Sequence, residues 1–285
     1  MTAELARRGI AVSGPPREIR RWSLSAVLRI PTGSGPLWYK EVPPLFAHEG
    51  RVTGWVSQVA PGSVPEVVGH GPGWQLTTEA PRPRRSSGGS PLDAIVPVQV
   101  ASAGRAGELL AMGCPDRRPA GLPGAVAALS ARADLLAVDE RTALRRVVPV
   151  LERISRRLDG LDIPATLVHG DVSTSNAWRT DRGWVYIDWT DACVSHPFVE
   201  LAQPLLDARS KARRRRIEAS FARMWERHGP EKHVAVAMAA APVIGAAYQA
   251  ETYRRIIDAV GMVDGHPELL REWVRRLCEA APGWI

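Results

Sequence analysis

The chain has 285 residues, 45% of them hydrophobic, so it can bury a sizeable core and is long enough for two lobes sharing a site. Cys114, Cys193 and Cys278 are odd in number and form no CxxC pair, which argues against a disulfide framework or a zinc site and fits a reducing cytoplasm. The formal charge of +7 raises nucleic acid as a partner, so the basic residues have to be weighed where they fall.

From the N-terminus, "MTAELARRGIAVSGPP" has no apolar core of the kind a secretion signal needs. "LSAVLRI" (24–30) and "LWYKEV" (37–42) predict strands, with "PTGSGP" (31–36) as the hairpin turn between them. The segment 43–62 starts with prolines, ends in Pro-Gly and spaces its apolar residues for a helix. "GHGPG" (69–73) reads as a turn leading into a third strand, "GWQLTTE" (73–79). The one low-complexity patch, "RPRRSSGGSP" (82–91), then divides this strand-rich texture from a helical one.

Beyond the patch, 92–113 and 139–160 show helical periodicity, the second despite Pro149. A short mixed region, 165–191, holds the strand-like runs "ATLV" and "WVYI", which a turn around "RTDRG" (179–183) would pair as a hairpin. The basic run 209–229 continues into a helix with Ile217, Phe221 and Trp225 on one face, so its arginines read as solvated surface and no nucleic-acid partner is expected. The run 234–248 is a buried helix, too short to span a bilayer and interrupted by Pro242, so no membrane partner is expected either. Together these elements give an α+β layout: a small strand-rich lobe at 1–80 and a larger helical lobe at 81–285.

The stretch "LVHGDVSTSN" (167–176), followed by "YIDWTD" (186–191), carries the chemistry. Asn176 and Asp188 are oxygen ligands of the kind Mg²⁺ takes when phosphate oxygens supply the rest. Asp171 is a carboxylate able to orient a hydroxyl and accept its proton, which completes the parts needed for phosphoryl transfer. Taken singly, each residue has a plainer reading as a turn or cap residue, and it is the combination that points to a site.

"HGDVSTSN" with "IDWTD" resembles the catalytic loop and metal segment of the aminoglycoside phosphotransferase/choline kinase family, a bilobal protein-kinase-like fold. The resemblance implies Asp171 as catalytic base, Asn176 and Asp188 as Mg²⁺ ligands, and His169 as organiser of the loop. It implies Lys40, in "LWYKEV", as the strand lysine on the nucleotide phosphates and Glu49 as its ion-pair partner. "WQLTTEAP" is similar to the hinge, where the backbone of Thr78, Glu79 and Ala80 would bind the base of ATP or GTP. "HPFVELA" resembles the family's sequel to the metal site, with Glu200 where many relatives carry aspartate. No GxGxxG loop precedes Lys40; "RRWSLSAV" occupies the place of a serine-bearing hairpin, where Ser23 and Ser25 either reach a phosphate or simply make a turn. Asp191 either assists the metal or caps a turn.

The family phosphorylates hydroxyls of very different molecules, so the resemblance leaves the acceptor open. From residue 203 onward there are ten Asp/Glu against fourteen Lys/Arg, which disfavours a polycation and favours a neutral or anionic compound such as a nucleoside-type antibiotic or a sugar metabolite. Tyr248, Gln249 and Tyr253 fall where the resemblance puts the acceptor, although aromatic residues on a helix also serve as core. A resistance enzyme, a metabolic kinase, an aminoglycoside kinase and a non-catalytic nucleotide-binding pseudokinase share these motifs; retention of Asp171, Asn176 and Asp188 weighs against the last. The sequence sets no oligomeric state.

Overall fold

The computed structural model describes residues 2–81, 90–181 and 183–284, so most of the patch at 82–91 lies outside the described residues. The protein is α+β and divides into two units, Met1–Pro91 with Thr174–Thr190, and Leu92–Ser173 with Asp191–Ile285.

In the first unit, α1 (Thr2–Arg7) precedes β1 (Arg17–Trp22), β2 (Ser25–Ile30), β3 (Leu37–Glu41), α2 (Glu49–Val59), β4 (Val67–Gly71) and β5 (Trp74–Thr78). The five strands form one antiparallel sheet in the order β1-β2-β3-β5-β4. Ile30 opposes Leu37, which makes 31–36 the hairpin turn the sequence leads one to expect. The strand β1 has no apolar face, because every side chain of "REIRRW" is exposed; it joins the sheet through backbone pairing that hydrophobic patterning does not register. The reading of 69–73 as a turn is corrected by β4: Gly71 pairs with Trp74, and only Pro72 and Gly73 lie between the two strands. On the sheet, Leu5, Ile30, Leu37 and Leu76 make a small core. Helix α2 buries Val52, Trp55 and Val56 at helical spacing. At Gly50 it comes so close to β4 and β5 that a Cβ would stand 2.8 Å from His70 Cβ and from the Trp74 oxygen. Glycine there fixes how near the sheet Glu49 is carried.

The second unit begins with α3 (Pro91–Ser102) and α4 (Ala106–Ala111) in place of the single helix expected over 92–113. Gly104, at φ +76°, lies in the break, a conformation open to glycine without strain. Then come α5 (Leu122–Ser130), α6 (Val138–Asp159) and β6 (Thr166–Val168). Helix α6 runs unbroken through Pro149 and buries Leu144, Val147, Leu151, Ile154 and Leu158 on one face. The chain next contributes β7 (Ala177–Thr180) and β8 (Gly183–Tyr186) to the first unit and returns to the second at β9 (Cys193–Ser195).

The expected pairing of "ATLV" with "WVYI" does not form. Instead β6 pairs with β9, Thr166 opposite Ser195, while β8 pairs with β7, Ala177 opposite Tyr186. The tight connection between Thr180 and Gly183 closes the strands that flank it directly, and those are β7 and β8. This hairpin belongs with the strand-rich unit: Tyr186 N–H donates to Ser63 O at 2.8 Å, Tyr186 hydroxyl to Pro91 O at 2.7 Å, and Trp178 Nε1 to Pro81 O at 2.8 Å.

The remaining helices are α7 (Ala202–Leu206), α8 (Lys211–Trp225), α9 (Glu231–Val260) and α10 (His266–Ala280). In α8, Phe221 and Trp225 are buried with Ile217 packed beside them, while most of its arginines are exposed. Helix α9 extends well beyond the run 234–248 and passes Pro242 unbroken. By length and composition it could cross a membrane, yet 67% of its apolar window is buried inside the unit. It packs with α6 and α10 in a core that includes Leu151, Ile154, Ile244, Leu270, Trp273 and Leu277.

Candidate functional site

In the first unit the sheet and the β7–β8 hairpin bring three charged side chains together. Lys40 Nζ on β3 donates to Glu49 Oε1 and to Asp188 Oδ1, each at 2.7 Å. Glu49 is the first residue of α2 and is 2% exposed, whereas Asp188 is 38% exposed. Burial works against the Lys40 charge, but Glu49 and Asp188 outweigh it and hold the ammonium above the ordinary lysine value. Burial raises the Glu49 carboxyl to about 7, with Lys40 and the Trp189 N–H pulling the other way.

Asn176 and Asp188 flank the mouth of the hairpin. Ala177 opposes Tyr186, and the Ile187 N–H donates to Asn176 O at 2.9 Å, so Asn176 is held opposite Ile187, the residue before Asp188. Asp188 sits at φ +65°, a left-handed conformation that aspartate tolerates better than most residues, and Thr190 donates to its Oδ1 at 2.8 Å. An amide oxygen and a carboxylate are hard donors that suit Mg²⁺. Among the described residues no three His, Cys, Asp or Glu side chains converge to cage an ion, so a divalent ion held here takes its other ligands from phosphate and water.

The other nucleotide candidates fall as follows. Trp22 pairs with Ser25, so Ser23 and Leu24 form the two-residue turn between β1 and β2, and Ser25 Oγ accepts from Trp22 Nε1 at 2.8 Å. Thr78 N–H donates to Glu66 O at 2.9 Å, so strand pairing removes it from the donors expected for a base and leaves the backbone of Glu79 and Ala80. The Glu79 carboxylate faces Arg29 at 3.4 Å.

In the second unit the segment from His169 to Asp171 leaves β6 and is fixed from two sides. Glu200, 1% exposed, accepts the N–H groups of His169 at 2.8 Å and Gly170 at 2.9 Å. The arm of Glu200 therefore reaches the loop. Burial raises the Glu200 carboxyl to about 7, against the pull of those two N–H groups and of Gln99. Gln99, fully buried on α3, donates to Glu200 Oε2 at 3.3 Å and accepts from Trp225 Nε1 at 3.3 Å. Sequence reading misses Gln99, although one amide inside "AIVPVQVA" is a legible anomaly. His169 is fully buried, and its Nδ1 accepts the Asp171 N–H at 3.3 Å.

From the other side, α9 holds the same segment. Gln249 Nε2 donates to Gly170 O at 3.0 Å, and the Tyr248 hydroxyl donates to Asp191 O at 2.7 Å. Gly170 sits at φ +86°, where a Cβ would stand 2.5 Å from the Tyr248 hydroxyl oxygen, so both conformation and space demand glycine. Tyr248 and Gln249 are buried, with polar atoms engaged on the loop, which corrects their placement as acceptor contacts. Of the three candidates only Tyr253 keeps partial exposure. Burial, with the charges of Asp191 and Asp171 beside it, pushes its phenol well above the usual range, so it shares their surroundings.

The first unit thus gathers Lys40, Glu49 and Asp188, and the second holds the backbone of the segment that carries Asp171. The Phosphotransferase enzyme family (APH) profile matches residues 17–234. Among solved structures, the macrolide 2'-phosphotransferase of Brachybacterium faecium is 18% identical with a TM-score of 0.59, over 96% of this chain and 95% of that one. The Plasmodium vivax ethanolamine kinase is 12% identical with a TM-score of 0.63, over 95% and 83%. An aminoglycoside phosphotransferase in complex with ADP and hygromycin B is 14% identical with a TM-score of 0.58, over 99% and 97%. At such identities the likeness is one of fold, and no curated protein matches the chain. The match across most of its length makes this chain a member of the phosphotransferase enzyme family, with a protein-kinase-like fold.

Proposed function

We propose that this phosphotransferase moves the γ-phosphoryl group of ATP to a hydroxyl of a small, non-polycationic molecule. The observation that carries this reading is the Lys40–Glu49–Asp188 cluster, with Asn176 bonded through its backbone oxygen to the residue before Asp188. A strand lysine with no task would point its ammonium into water; this one is drawn inward by a buried carboxylate that stays. Its second partner, Asp188, is exposed enough to exchange lysine for a metal ion, which frees the ammonium for phosphate oxygens. Asn176 and Asp188 would hold Mg²⁺, which would supply neutralisation of charge on the transferring phosphates. Asp171 orients the attacking hydroxyl and takes its proton, a role for which His169, Glu200 and Gln249 fix its segment.

The excess of basic over acidic residues after 203 argues against an acceptor carrying several ammonium groups. A nucleoside-type antibiotic, whose phosphorylation would protect the cell, fits this balance. The test offers nucleoside antibiotics, sugars and kanamycin-like polycations with ATP and Mg²⁺ and reads the mass gain of one phosphoryl group, with Asp171→Asn as control. Phosphorylation of a non-polycation that the control abolishes is the expected result. Turnover of polycations alone would overturn the acceptor class, and turnover undiminished in Asp171→Asn would overturn the base.

A further inference from the structure

Among the described residues, Arg117 and Arg255 of the second unit form no ion pair. Arg117 lies next to the isolated bridge between Asp116 and Val194 and is 9% exposed. Its guanidinium carbon stacks 3.8 Å from the centre of the Tyr248 ring. Nη1 donates to Thr252 Oγ1 and Nη2 to Tyr248 O, both at 2.6 Å. These partners are neutral, and among the described residues no Asp or Glu oxygen comes within 4.0 Å of the guanidinium. Taking a charge out of water is costly unless an opposite charge meets it, so a guanidinium left this way calls for an explanation.

The nearby carboxylates are engaged elsewhere. Asp116 holds Arg118 through both oxygens, Glu251 holds Arg254 through both oxygens, and Asp258 joins Arg132 and Arg254. Tyr248, Thr252 and Arg255 follow one another at positions i, i+4 and i+7 of α9 and so share one stripe of the helix. Arg255 has no ion pair among the described residues. Burial, and the positive charge of Arg117 beside it, hold its guanidinium below the ordinary arginine value. Arginine side chains left to themselves would turn apart into solvent; here a ring face and two acceptors fix Arg117 on the helix that carries Arg255.

We infer that Arg117 and Arg255 form an oxyanion-binding site, and that the hydroxyl acceptor carries a carboxylate or phosphate group which this site holds. A guanidinium presents five N–H donors in a planar fork that matches such a group, and two are already fixed on the protein, so the fork is oriented in advance. The tyrosine under Arg117 also anchors Asp191 through its hydroxyl, which lies against Gly170, the neighbour of Asp171. The arginine is thus one side chain removed from the segment bearing the proposed base. This inference rests on the phosphotransferase reading above and narrows its acceptor from neutral or anionic to anionic.

The experiment titrates phenyl phosphate, benzoate and the uncharged benzyl alcohol into the protein, with and without saturating AMP-PNP and Mg²⁺, by calorimetry. One or both anions should bind saturably with the nucleotide present, and benzyl alcohol should not; the two anions separate a phosphate from a carboxylate site. Arg255→Gln, the less buried change, should weaken that binding about tenfold, as expected for the loss of a charge-assisted fork. Arg117→Gln should do the same if it folds. No anion binding, equal binding of benzyl alcohol, or binding unchanged in Arg255→Gln would overturn the site. Failure of AMP-PNP itself to bind would count against the phosphotransferase reading, and the arginine variants would still report on the anion.

Discussion

The side-chain amide of Gln249 donates a 3.0 Å hydrogen bond to the carbonyl oxygen of Gly170, tying the long helix α9 to the residue before Asp171. If this bond positions the base, Gln249→Leu should lower kcat roughly tenfold, the equivalent of about 1.4 kcal/mol, with ATP affinity unchanged. Steady-state rates and nucleotide titration of the same preparation decide it. An unchanged kcat would remove the positioning role.

Replacing Asp171 tests the chemistry itself. Asp171→Asn keeps the size of the side chain and removes the proton acceptor, so phosphoryl transfer should fall about a hundredfold or more while ATP still binds. A variant within a few-fold of the parent would show that another group takes the proton.

The Lys40 cluster predicts a metal dependence. On the proposed reading, Mg²⁺ would give Asp188 a partner other than Lys40 and leave the ammonium available to phosphate. ATP affinity should therefore drop on chelation, and should drop comparably in Asp188→Ala with Mg²⁺ present. Equal affinity with and without Mg²⁺ by calorimetry would argue against Asn176 and Asp188 as ligands. Lys40→Met should weaken ATP binding and also destabilise the fold. The stability loss should fall short of the roughly 3–5 kcal/mol typical of a broken buried pair, because Glu49, already raised to about 7, can take up a proton instead.

Acid stability should depend on His196, which is 4% exposed and whose Nδ1 accepts the Phe198 N–H at 3.3 Å. Burial lowers its pKa from 6.5 to about 3, so on acidification the unfolded chain binds the proton first. Its contribution is complete above pH 6.5 and is lost as the pH falls toward 3. Between pH 7 and 5 the loss is about 2 kcal/mol. His196→Asn keeps an acceptor for Phe198 and should lack this slope. Glu49 and Glu200 act in the opposite sense: both rise to about 7, so their contribution is complete below about 4.5 and is lost as the pH rises through 7. Urea midpoints of the variant and the parent, compared at each pH, isolate the histidine. Parallel profiles would contradict a buried neutral His196.

Much of the candidate site is legible because the groups proposed for its chemistry are local in sequence. His169, Asp171, Asn176 and Asp188 fall within twenty residues, with types and spacing that few turns would produce. Lys40 and Glu49 are legible because a strand and the helix after it leave few ways to arrange nine residues, and the ion pair between them is formed. The α+β layout follows from a change of periodicity that each segment carries within itself. What the sequence cannot show depends on partners distant along the chain. The strand β1 has no apolar face, so only its pairing with β2 reveals it. "ATLV" and "WVYI" look like partners, yet tertiary packing gives the first to β9 and the second to β7. Tyr248 and Gln249 carry the polar groups of acceptor contacts, and only burial against Gly170 and Asp191 turns them into supports of the loop. The sequence by itself determined which groups exist for the chemistry, because residue type and short spacing set reactivity. Tertiary structure alone decided which of them are buried or paired, because burial and charge compensation are set by neighbours distant along the chain, as Tyr248 is more than a hundred residues from Arg117.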